Sequence, residues 1–109
     1  MKETEITIKV KLDNNNIPEE IFWSAPDGGI KDELSKAILL SFWDSNSKET
    51  LKMDLWTKEM PIEEMKTFFL QTFISMKQSL SKSIGDESLM NLVDDFCSEF
   101  EKRITKKSS

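Results

Sequence analysis

The stretch from Ala37 to Lys58, AILLSFWDSNSKETLKMDLWTK, constrains this chain more than any other. From Leu51 onward apolar and polar residues alternate strictly: Leu51, Met53 and Leu55 fall on one side, Lys52, Asp54, Trp56 and Lys58 on the other. That period of two specifies a strand with one buried face. The run from Ala37 to Trp43 is apolar on both sides, with only Ser41 interrupting it, as expected of an interior strand. The six residues between, Asp44 to Glu49, are all polar and rich in side chains that satisfy turn backbone, so the two runs are predicted to form a β-hairpin.

The rest of the chain can be built around that hairpin. Residues 4–12, TEITIKVKL, place Ile6, Ile8, Val10 and Leu12 on one face and are predicted to be a strand. Asp13 to Asn16 form a turn whose asparagines tolerate left-handed backbone. A second strand, about Glu19 to Ala25, groups Ile21, Trp23 and Ala25, turns Phe22 to the opposite face, and is expected to pair with the first. Pro26-Asp27-Gly28-Gly29 is turn chemistry that interrupts the sheet, and residues 30–36 are compatible with either a short helical turn or a loop.

Met60-Pro61 stops the hairpin's second strand and opens a helix to about Lys82, with Ile62, Met65, Phe69, Phe73, Met76 and Leu80 forming a stripe that Phe68 widens. Gly85 can cap it and Asp86 can start a second helix to about Ile104, whose stripe is Leu89, Val93, Phe96, Phe100 and Ile104. The predicted fold is α+β: a four-stranded antiparallel sheet with two C-terminal helices packed on one face, in two layers. At 109 residues the chain reads as one domain, 1–109, with a frayed tail at 104–109.

Composition decides mainly what is excluded. Twenty acidic against 15 basic residues give a net charge of −5, which disfavours nucleic acid and anionic lipid as partners. The N-terminus has no apolar leader pattern, and no uncharged run is long enough for membrane insertion, so the expected location is cytoplasmic. There is no histidine, which removes the commonest general base and the commonest zinc ligand. Cys97, the single cysteine, falls on the second helix's apolar stripe and is expected to be a core residue rather than a nucleophile. Gly28-Gly29 lacks the spacing of a phosphate-binding loop, and the acidic pairs Glu19/Glu20, Glu63/Glu64 and Asp94/Asp95 point their neighbours in different directions. The chain is therefore expected to be no enzyme and to need no cofactor and no metal.

One face calls for a functional reading. The side of the sheet away from the helices is expected to carry Phe22, Leu39, Trp43 and Trp56 among Lys52, Asp54, Thr7, Lys9 and Ser41. Aromatics within a polar rim are typical of interface centres, so Phe22, Leu39, Trp43, Lys52, Asp54 and Trp56 form a candidate protein-binding face, open to self-association as a homo-oligomer. The alternative is that Trp43 or Trp56 folds over a sheet edge or under residues 30–36.

Two strings are unusual: Trp23-Ser24-Ala25 ahead of Asp27-Gly28-Gly29, and Asp54-Leu55-Trp56-Thr57-Lys58 ahead of Met60-Pro61. With the two helices after them they resemble the gliding motility-associated GldC family, over essentially the whole chain. The resemblance implies a small cytoplasmic accessory protein of the gliding machinery of Bacteroidetes-type bacteria, without enzymatic activity, whose protein partners include other components of that machinery. The order of four strands then two helices also resembles the SecB-type export chaperones, by topology alone. That implies a second kind of function, holding client protein segments.

Overall fold

A computed structural model describes residues 1–106. The chain divides into two compact units, Met1–Met60 and Pro61–Ser109. The first contains five strands and no α-helix: β1 (Thr7–Leu12), β2 (Pro18–Ala25), β3 (Ile30–Ser35), β4 (Ala37–Asp44) and β5 (Glu49–Trp56). They form two antiparallel sheets, β1-β2-β3 and β4-β5, instead of the single four-stranded sheet expected.

The additional strand is β3, the segment compatible with a helical turn or a loop. Its sequence, IKDELS, lacks apolar alternation because it is an edge strand exposed over four of its six residues. The Pro26–Gly28 3-10 turn and Gly29, at φ 76°, reverse the chain and so extend the sheet where an interruption was expected. Ser24 accepts the Asp32 N–H at 2.9 Å, beside a register shift between Trp23 and Ala25. The expected β1–β2 pairing is present, with Val10 opposite Ile21 and Ile8 opposite Trp23. β1 begins only at Thr7, leaving Ile6 exposed. Ile21, in the central strand, is the one side chain among the described residues fully withdrawn from water.

The expected turn at 13–16 is held by Asp13, whose carboxylate accepts the N–H groups of Asn15 (2.8 Å) and Ile17 (3.0 Å), while Asn16 takes positive φ. Asp13 also pairs with Lys58, just past β5. The Lys58 ammonium first, then the two backbone donors, lower the Asp13 pKa from 3.8 to about 2. A carboxylate depressed on folding contributes its stabilisation above the unfolded pKa and loses it as pH falls through the folded one. Asp13→Asn is therefore expected to be less stable than wild type at neutral pH, with the difference vanishing between about pH 4 and pH 2 in urea titrations. Thr57, almost fully buried, donates its N–H to the Lys36 carbonyl at 2.9 Å and so ties the end of β5 to the link between β3 and β4.

In the second unit α1 (Ile62–Ser83) and α2 (Glu87–Thr105) pack against each other. Phe73 of α1 meets Phe96 and Phe100 of α2 edge-on, at centroid distances of 5.1 and 5.2 Å. Lys77 bridges to Asp94 across the pair at 2.7 Å, and Glu99 pairs with Arg103 one turn on at 3.0 Å. Cys97 is buried and free, as its place on the stripe implied, and Leu70 is a buried position outside the predicted stripe. Gly85 takes φ 67°, and the Asp86 carboxylate caps α2 by accepting from Ser88 and Leu89 N–H. Asp86→Ala is expected to destabilise the helix pair by about 1 kcal/mol, read by chemical denaturation. Ile104 and Thr105, assigned to a frayed tail, belong to α2; the last three residues of that tail lie outside the described residues.

Candidate functional site

The register of β4 and β5 decides which candidate residues share a face. Residues directly opposite in an antiparallel pair point the same way. Ala37 lies opposite Trp56, Leu39 opposite Asp54, Ser41 opposite Lys52 and Trp43 opposite Thr50. Leu39, Trp43, Lys52, Asp54 and Trp56 thus share one face, as their alternation predicted. Ile38, Leu40, Phe42, Leu51, Met53 and Leu55 share the other with the Asp44–Glu49 pair at the loop end.

Phe22 is not among them. It belongs to the three-stranded sheet, opposite Lys9 and Leu34, with the Lys11 ammonium 5.5 Å from its ring centroid. Thr7 and Lys9 lie on that sheet as well. The predicted site is therefore split because its residues come from two sheets, and its coherent part is the mixed face of the hairpin. β4, expected inside a sheet, pairs only with β5 and has a free edge.

Neither tryptophan is covered: Trp43 is 64% and Trp56 53% exposed. Residues 30–35 do not lie over them but pair with β2. The two indoles are six residue pairs apart in the ladder, about 20 Å at 3.3 Å per residue. Between them Lys52 donates to Asp54 at 3.2 Å, a surface ion pair with little effect on stability. Beside Trp56 and Asp54 lies an open cleft of about 270 Å³, lined also by Leu55, Ile17 and Pro18. The face can thus present two aromatic anchors along an extended line, with one donor and one acceptor between them.

Thr50, opposite Trp43, and Ile17 and Pro18, beside Trp56, complete this surface and were not assigned to it from sequence. Counting across the hairpin loop would have found Thr50. Ile17 and Pro18 come from another strand and have no such signal. The family string DLWTK can now be read residue by residue: Asp54 and Trp56 on the mixed face, Leu55 on the apolar one, Thr57 buried, and Lys58 paired to Asp13. In the helical unit Phe73, Met76, Leu80, Leu92, Val93 and Phe96 line an apolar cleft of about 520 Å³. Among the described residues no group of three His, Cys, Asp or Glu could hold a metal ion, and no helix is long and apolar enough to cross a membrane.

Fold and surfaces together define a small α+β protein with open aromatic and apolar faces. The family model described as gliding motility-associated protein GldC-like matches residues 18–106, and the chain belongs to that family. The family associates it with gliding motility. Neither the curated proteins nor the solved structures contain a match.

Proposed function

We propose that this chain is a non-enzymatic, cytoplasmic accessory protein of bacterial gliding motility that binds another protein, a component of the gliding machinery, through the mixed face of β4–β5. The observation that carries the reading is the pair of exposed tryptophans flanking Lys52 and Asp54 on one face. Each leaves more than half of its surface in water, roughly 130 Å², and covering that surface contributes about 3 kcal/mol gross. Tryptophan in a polar surround is the residue most enriched where binding energy concentrates.

The test is capture of partners from cells of a gliding host, followed by titration of the purified partner. Trp43→Lys and Trp56→Lys are each expected to weaken binding about thirtyfold or more, while circular dichroism and thermal midpoint stay near wild type because both side chains are already exposed. Unchanged affinity in both variants would sink the proposal. A second reading, a holder of client segments, is favoured by the apolar cleft between α1 and α2. It predicts that the chain suppresses aggregation of unrelated unfolded proteins and that Leu92→Lys abolishes the effect.

A further inference from the structure

Four strands of the first unit lie at a sheet edge: β1, β3, β4 and β5. Three of them carry charged side chains along their length, as edges that avoid further pairing do: Lys9 and Lys11 on β1, Lys31, Asp32 and Glu33 on β3, Lys52 and Asp54 on β5. β4 has no charge from Ala37 to Trp43, no proline and no glycine, and its ladder with β5 runs through eight residue pairs without a bulge. A long, regular, apolar edge of this kind is a template for another strand. The second unit has none to supply, since its described elements are α1 and α2.

The alternation of the ladder shows which backbone groups of β4 are turned outward. Thr57 donates its N–H to the Lys36 carbonyl, so the adjacent Ala37–Trp56 pair is of the non-hydrogen-bonded kind, and every second pair after it, Leu39–Asp54, Ser41–Lys52 and Trp43–Thr50, is the same. The N–H and C=O groups of Leu39, Ser41 and Trp43 therefore point away from β5. The Ala37 carbonyl, which also points outward, accepts the Ser35 hydroxyl at 2.7 Å and keeps a second lone pair.

We infer that a second copy of this chain supplies the missing strand, the two β4 edges pairing antiparallel about a twofold axis through Leu40 to give one four-stranded sheet in the order β5-β4-β4-β5. An axis normal to the sheet keeps each face on its own side, so a residue can stand opposite only one of the same face. Centred on Leu40, Leu40 meets its equivalent, Ile38 meets Phe42, Leu39 meets Ser41, and Ala37 meets Trp43, small against large. The same register sets Lys36 opposite Asp44 at both ends. The Asp44 carboxylate is fixed there by the Asn46 N–H at 3.1 Å and the Ser47 hydroxyl at 2.8 Å, and Lys36 has no ion-pair partner among the described residues. Centred on Leu39, Lys36 would face Phe42; centred on Ser41, Asp44 would face Ile38. The strand thus complements itself in shape and in charge within a single register, which selects a copy of this chain over an unrelated segment. Four strands with a common apolar face are also stable where two are marginal. The mixed face with Trp43 and Trp56 stays on one side of the joined sheet, and the inference is independent of the proposed partner.

Light scattering on the full chain at about 100 µM is expected to give twice the chain mass. Ser41→Pro removes an outward N–H and leaves the β4–β5 ladder whole. Because the axis doubles the loss, it should raise the dimer dissociation constant about thirtyfold or more, while circular dichroism keeps the wild-type signal. Leu40→Cys reads the register directly: non-hydrogen-bonded antiparallel neighbours sit about 4.5 Å apart at Cα, within reach of a disulfide, so mild oxidation should link two chains through the introduced thiols. Lys52→Cys on β5 should give no linked dimer, and neither should wild type, whose single cysteine is buried. A monomeric wild type at that concentration overturns the inference, as does a dimer that Leu40→Cys does not link. Should Ser41→Pro fail to fold, the wild-type mass and the linking pattern still decide. Trp56→Lys is expected to stay dimeric whether or not it captures the partner of the proposed function, so failure of one reading does not touch the other.

Discussion

Ile21→Ala is expected to destabilise the strand-containing unit by about 3 kcal/mol, the largest effect of any single apolar truncation there. Ile21 is wholly inaccessible, lies in the central strand of the three-stranded sheet, and is flanked by Val10 and Ser35 in the ladder. Removing three carbons there forfeits their transfer from water and leaves a void that paired strands on both sides cannot close. All three tryptophans, Trp23, Trp43 and Trp56, lie in this unit, so intrinsic fluorescence during urea unfolding reads it directly. Phe22→Ala, next in sequence but only partly buried on the opposite face, is expected to cost less, about 1–2 kcal/mol. Equal losses for the two would show that Ile21 is not the packing centre.

Phe73→Ala is expected to have a comparable effect on the helices, lowering the stability of the α1–α2 pair by about 3 kcal/mol. Phe73 is the hub of the aromatic cluster, in edge contact with Phe96 and Phe100 and 6.1 Å from Phe69 on its own helix. Its loss removes both interhelical ring contacts at once. Phe96 is half-exposed, and its loss leaves the Phe73–Phe100 contact at 5.2 Å in place, so Phe96→Ala should cost about half as much. The helical far-ultraviolet signal in a thermal melt reads both. If Phe96→Ala proved the more damaging, the cluster would be centred on α2.

The candidate face is partly legible in the sequence. Alternation in Leu51–Trp56 and the loop at Asp44–Glu49 were enough to group Leu39, Trp43, Lys52, Asp54 and Trp56, because a strand's period of two is a local property. Phe22 was misplaced for a non-local reason: alternation says which residues of one strand share a side, but not which sheet the strand enters. The β3 strand escaped because edge strands keep polar side chains on both faces, which in sequence looks like a loop. Leu70 escaped because it lies outside the simple spacing of the α1 stripe.

The sequence by itself determined the local elements of this protein: the hairpin, the asparagine turn, the helix caps at Gly85 and Asp86, the buried Cys97, and the family to which the chain belongs. Each is written in periodicity, turn chemistry or a short string, over distances of a few residues. Only the tertiary structure decided that five strands divide into two sheets, that Ile21 and Thr57 are the buried positions of the strand-containing unit, and that Ile17 and Pro18 lie beside Trp56. Those outcomes depend on backbone hydrogen bonds between segments distant in sequence, and backbone groups, being nearly identical from residue to residue, leave no mark in the amino-acid code.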